Sequence, residues 1–76
     1  SEQYLRRIFA EYGGVSPMKL VTHMRLRRVK SLLTCSDKAI TEIALSCGFY
    51  DNSHLVRVFK QYEGMTPKEY RKRTRQ

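Results

Sequence analysis

Between positions 51 and 57 the chain reads DNSHLVR, in which Asn52, Ser53 and Arg57 are short or fork-shaped hydrogen-bonding side chains and Val56 is a small apolar one. Those residue types suit the edges of base pairs. Arg bonds bidentately to guanine, Asn or Gln to adenine, and a small apolar group meets a thymine methyl. Asn52, Ser53, Val56 and Arg57 are therefore candidate base contacts. Arg57 is the foremost of them, with a phosphate contact or a surface ion pair as its alternative. A second set, Gln3, Arg6 and Arg7, takes the corresponding place in SEQYLRRIF at the start of the chain.

Other chemistry is poorly served. His54 has only Asp51, one turn earlier, as a neighbour of matching chemistry, and the pair reads as a capping turn. His23 stands alone. No nucleophile, base and orienting group converge and no phosphate-binding Gly loop is present, so neither an enzyme nor a cofactor is expected. Cys35 and Cys47 lie 12 residues apart with no CxxC, which argues against a metal site. Cys47, inside an apolar run, reads as a buried free thiol, and reduced cysteines fit a cytoplasmic protein.

Composition narrows the partner. With 76 residues the chain is at most one small structural unit, and 41% hydrophobic residues suffice for it to fold. Fifteen Lys and Arg against seven Asp and Glu leave a net charge of +8. A small domain this basic most often meets a polyanion, either nucleic acid or an anionic membrane surface. No apolar run approaches the ~18 residues of a membrane span and no signal peptide opens the chain. A soluble, cytoplasmic, nucleoid-associated protein is expected, with no membrane partner.

The elements that would position these side chains are helices. Pro occurs only at 17 and 67, each after Ser16 or Thr66 and each following a Gly, 14 or 64. Gly ends one helix, Ser or Thr caps the next, and Pro takes its first position. Leu5, Ile8, Phe9 and Tyr12 form a helical stripe over Glu2 to Tyr12, and Leu55, Val58, Phe59 and Tyr62 form another after an N-cap at Asp51. Pro17 to Thr34 reads as one long helix of about 27 Å, with Leu26, Val29 and Leu33 on one side. Ile40 to Cys47 is a short helix presenting Ile43, Ala44 and Cys47 and ended by Gly48. The last helix runs from Pro67 to about Arg73. The aromatics Phe9, Tyr12, Phe49, Phe59, Tyr62 and Tyr70 are spaced as core.

A shift of 50 residues superposes Leu5 on Leu55, Arg7 on Arg57, Phe9 on Phe59, Tyr12 on Tyr62, Gly14 on Gly64 and Pro17 on Pro67. The repeated residues build the same helix and turn twice. Those that differ, Gln3 and Arg6 against Ser53 and Val56, would read different bases. A duplication for packing alone explains the apolar matches but not the polar leading faces.

The segment ITEIALSCGFYDNSHLVRVFKQYEGMTPKEYRKR resembles the second helix-turn-helix of the AraC/XylS family of bacterial transcription regulators. The matching positions are Ile40, Ile43, Ala44, Gly48, Phe49, Ser53, Leu55, Arg57, Phe59, Lys60, Gly64, Thr66, Pro67, Tyr70 and Arg71. RLRRVKSLL resembles the family's linker helix and YLRRIFAEYGGVSP its first recognition helix. The resemblance implies an all-α, homeodomain-like fold of two helix-turn-helix units. Residues 1–16 would hold the recognition helix of a first unit that is incomplete, because its supporting helix would precede the chain. Residues 17–35 would be the linker, and 36–76 the second unit with a C-terminal helix. The implied function is sequence-specific binding of double-stranded operator or promoter DNA. Two recognition helices would enter successive major-groove segments about 34 Å apart.

Arg27, Arg28, Lys60 and Arg71 are candidate phosphate contacts on this reading. RNA polymerase is a candidate second partner, and a sensing or dimerisation domain is expected elsewhere in the full protein. One departure is Ala39, which stands where the family usually has a capping residue. A basic amphipathic membrane-surface module and a protein-interaction module are the alternatives. The absence of Trp, the excess of Arg over Lys and the punctuated turns weigh against the first.

Overall fold

The computed structural model of the protein describes residues 2–11, 13, 14 and 16–75, with positions 2, 4, 5 and 8 described by their backbone alone. The described chain contains helices and turns and no strand: α1 Glu2–Glu11, α2 Pro17–Cys35, α3 Ile40–Ser46, α4 Asn52–Glu63 and α5 Pro67–Thr74. Leu5, Ile8 and Tyr12, expected on the core stripe of α1, have side chains outside the described residues.

Local chemistry sets these boundaries. Ser16 Oγ accepts the Lys19 N–H at 3.2 Å, and Pro17 follows at the first helical position, where its missing N–H leaves nothing unpaired. Thr66 and Glu69 form a reciprocal capping box before Pro67: Thr66 Oγ1 accepts the Glu69 N–H at 3.2 Å, and Glu69 Oε1 accepts the Thr66 N–H at 3.0 Å. The second bond, ahead of the Thr66 hydroxyl, holds the Glu69 carboxyl below its ordinary range, with Arg73 and Lys60 adding a smaller pull. Ala39 occupies the N-cap of α3 with no side-chain cap bond, leaving Glu42 as the acidic residue of that first turn. Gly64 closes α4 in the left-handed region at φ +77°, a conformation that strains any residue with a Cβ.

One core joins four of the helices. Leu26, Val29 and Leu33 of α2, Ile43 and Ala44 of α3, and Leu55 and Phe59 of α4 pack with Cys47 and Phe49, and Tyr70 of α5 closes the cluster edge-on to Phe59 at 5.5 Å. Cys47 is buried and Cys35 exposed, both as free thiols. Two aromatics expected in the core are not there: Phe9 and Tyr62 are 48% and 43% exposed. Periodicity assigns a side chain to a face of its helix but says nothing of how far along that face the neighbouring helix extends. The core contacts of α4 end at Phe59, and Tyr62 lies on the turn beyond them.

The C-terminal helix is tied down at the far end of α2. Arg71 donates from Nε to the Leu33 carbonyl at 3.0 Å and from Nη2 to the Ser36 carbonyl at 3.2 Å. Arg75 adds a bond to the same Ser36 carbonyl and an ion pair with Asp37 at 2.7 Å. Lys30 and Glu63, 3.3 Å apart, join α2 to the end of α4. Helix α2 is thus a spine of about 28 Å against which α3, α4 and α5 are all fixed in place.

Candidate nucleic-acid interface

Helix α4 is delivered by a turn whose parts are specified one by one. Gly48 carries φ +90° between α3 and Phe49, and a Cβ there would stand 2.8 Å from Nε of Arg25, so the turn also lies directly against the side chain of the spine. Phe49 is buried and meets the His54 ring edge-on at 5.3 Å. Asp51 then caps the helix, its Oδ1 accepting the His54 N–H at 2.8 Å. His54 returns the contact: its Nδ1 accepts the Tyr50 N–H at 3.0 Å. The His54 side chain belongs to the capping turn, which leaves Nδ1 engaged as an acceptor.

Beyond that cap the helix presents two faces. Leu55 and Phe59 are fully buried. At 3.6 residues per turn, Ser53, Arg57 and Lys60 fall on the opposite side, and all three are exposed, as is Asn52. Tyr50, Asp51, Ser53, His54 and Arg57 line one shallow concavity on this side. An acceptor, a hydroxyl, a guanidinium and a phenol thus converge on an open surface, a set able to hydrogen-bond a ligand that itself offers both donors and acceptors.

Val56 departs from expectation. It is half-buried, because three residues before Phe59 on a helix it flanks the core stripe instead of crowning the outer face. Gln3, Arg6 and Arg7 are exposed on α1, which packs against α2, and none of them lines the concavity beside α4. Arg27 and Arg28 are exposed on α2. Arg71 is half-buried, and its Nε and Nη2 are engaged by the carbonyls at the end of α2.

One residue of consequence was not singled out by sequence reasoning. Tyr50, 85% exposed, sits between a buried Phe and a capping Asp, and an aromatic in that position is the signal that could have marked it. The two hydrogen bonds that Arg71 donates to the end of α2 have no sequence signal, since their acceptors lie 38 and 35 residues earlier. Among the described residues no group of three or more His, Cys, Asp and Glu could hold a metal ion, and no helix is long and apolar enough to cross a membrane.

Comparison with known proteins agrees with this geometry. A family model described as a helix-turn-helix domain matches residues 1–73. The chain is 38% identical over 72 residues to the HTH-type transcriptional activator RhaR of Yersinia pseudotuberculosis, covering 95% of this chain and 25% of that protein. It is 36% identical over 67 residues to the HTH-type transcriptional activator RhaS of Escherichia fergusonii, covering 88% and 24%. The chain therefore spans about a quarter of the length of these curated relatives. A crystal structure of a transcriptional regulator from Chromobacterium violaceum, described as containing an AraC-type DNA-binding domain, superposes with a TM-score of 0.81 at 34% identity, over all of this chain and 68% of that one.

Proposed function

Because this chain belongs to the AraC-type helix-turn-helix family of DNA-binding domains, we propose that it binds double-stranded DNA sequence-specifically as the DNA-reading part of a bacterial transcription regulator, with α4 in the major groove. The observation that carries this reading is the outer face of α4, where Asn52, Ser53 and Arg57 stand exposed on a capped helix whose other face buries Leu55 and Phe59 completely. In a helix-turn-helix the N-terminal residues of the second helix meet base edges while the first helix crosses the backbone, and α3 and α4 occupy those places.

Arg57 and Asn52 read bases in this proposal, Ser53 hydrogen-bonds at either a base or the sugar-phosphate edge, and Val56 contributes only through its exposed part. Helix α1 supplies the second reading surface through Gln3, Arg6 and Arg7. A spine of about 28 Å with a turn at each end is of the length needed to set two recognition helices about one helical turn apart. Arg27, Arg28 and Lys60 grip phosphates, and with a net charge of +8 binding falls steeply as salt rises. The full protein carries a sensing or dimerisation portion and meets RNA polymerase at the nucleoid, a reading supported by the relatives' being named transcriptional activators.

Selection of bound sequences from a random duplex pool tests the proposal. Recovery of two short motifs about one helical turn apart is expected, and recovery of no motif overturns sequence-specific reading. Arg57→Ala should weaken binding to the selected duplex by about 1–3 kcal/mol and relax preference at one base pair. An unchanged ratio of specific to random binding would remove Arg57 from the base-reading set.

A further inference from the structure

We propose that Tyr50 is a further DNA-contacting residue, its phenol hydroxyl donating a hydrogen bond to a phosphate oxygen at the rim of the groove that α4 enters. The inference rests on the DNA-binding reading above and assigns to it a residue outside the base-reading set.

Tyr50 is the most exposed large hydrophobic side chain described in the chain, at 85%, and its hydroxyl has no hydrogen-bond partner among the described residues. Its backbone, by contrast, is held from three directions. The residue before it, Phe49, is buried in the core; its own N–H is bound by His54 Nδ1 at 3.0 Å; and the residue after it, Asp51, is fixed by the cap bond to the His54 N–H at 2.8 Å. An aromatic side chain with two rotatable bonds on so constrained a backbone loses little conformational entropy when it engages a partner.

Its place decides between base and phosphate. Tyr50 lines the same concavity as Ser53 and Arg57, so a duplex seated on those residues passes beside its ring. It lies before the N-cap and outside the helix, however, so the side chains of the first helical turn reach base edges ahead of it and leave it at the bordering strand. Phosphate oxygens accept hydrogen bonds from Tyr as well as from basic residues, and such contacts fix the register of the protein without reading sequence.

The test compares the parent chain, Tyr50→Phe and Arg57→Ala on two probes, the duplex recovered by the selection above and a random-sequence duplex of equal length, with thermal unfolding run on each variant. Tyr50→Phe is expected to unfold at the parent's midpoint and to bind both probes about tenfold more weakly, leaving their ratio and the salt slope unchanged. Arg57→Ala is expected to lower the ratio. Parent-like affinity of Tyr50→Phe for both probes overturns the assignment, and so does a change in the ratio, which would make Tyr50 a base contact. If the parent binds both probes equally, sequence reading fails while the phosphate contact is still decided by the Phe variant. If it binds neither, both readings fall.

Discussion

His54 Nδ1 accepts the backbone N–H of Tyr50 at 3.0 Å, while the backbone N–H of His54 is held by Asp51. The two bonds close a reciprocal loop around the start of α4, so the entry of the chain into its outward-facing helix is set by one imidazole. His54→Ala removes that acceptor and the edge contact with Phe49. A net hydrogen bond is worth about 0.5–1.5 kcal/mol and an aromatic pair about as much, so a loss of about 1–2 kcal/mol is expected in thermal or urea unfolding. His54→Asn, whose carbonyl oxygen can stand near the Nδ1 position, should recover part of it. Equal stability of the Ala and Asn variants would show that the acceptor is immaterial.

Gly48→Ala should destabilise the fold by about 1–3 kcal/mol, the range for one residue held in an unfavourable backbone region. Here φ is +90° and the new Cβ would also press on Arg25 at 2.8 Å. The second effect is separable, because the end of an Arg side chain can move. Combining Gly48→Ala with Arg25→Ala should recover only a small part of the lost midpoint temperature. Full recovery would transfer the requirement for glycine from the backbone to the contact.

Arg71→Ala leaves the Leu33 and Ser36 carbonyls without their fork and should cost about 1–3 kcal/mol of stability. Arg71→Lys should restore little of it, since an ammonium lacks the planar geometry that spans two acceptors. Arg28→Ala and Lys60→Ala, at exposed positions, should instead weaken DNA binding across all sequences and leave the unfolding midpoint unchanged. A stable Arg71→Ala that binds DNA more weakly across all sequences would instead make Arg71 a phosphate contact.

The Glu69 carboxyl is held below its ordinary range chiefly by the Thr66 N–H. A lowered folded-state pKa contributes stability that is present above the unfolded-state value and is lost as pH falls through the folded-state value. Acidification through and below the usual carboxylate range should therefore loosen the first turn of α5, seen as a shift of the Thr66 amide resonance following the Glu69 titration. Glu69→Gln keeps a capping acceptor and should abolish that pH dependence. A Thr66 amide titrating identically in the Gln variant would assign the effect elsewhere.

Much of this molecule was decided within four residues of chain at a time, and that part is legible in the sequence. Ser16–Pro17, Thr66–Pro67, Asp51 and Gly64 act on backbone groups one turn away, so the starts read for α2 and α5 and the cap read for α4 are those found, and the ends read for α2, α3 and α5 lie within one residue, Thr34 against Cys35, Cys47 against Ser46 and Arg73 against Thr74. The buried stripes Leu26–Val29–Leu33 and Leu55–Phe59 follow equally from period alone. The exposure of Asn52, Ser53 and Arg57 follows in turn, because they occupy the positions those stripes leave.

Tertiary structure decided what depends on residues dozens of positions apart. A basic side chain in the last helix has no local partner to declare its role, and Arg71 turned inward because the carbonyls of Leu33 and Ser36 end α2 within its reach. Phe9 and Tyr62 share the apolar spacing of Phe59, yet only Phe59 is fully buried, since burial needs a neighbour at the right height as well as the right face. Tyr50 stands clear by the same reasoning: Phe49 is drawn into the core and His54 is folded back onto the turn. The side chain between them is left pointing at whatever α4 meets.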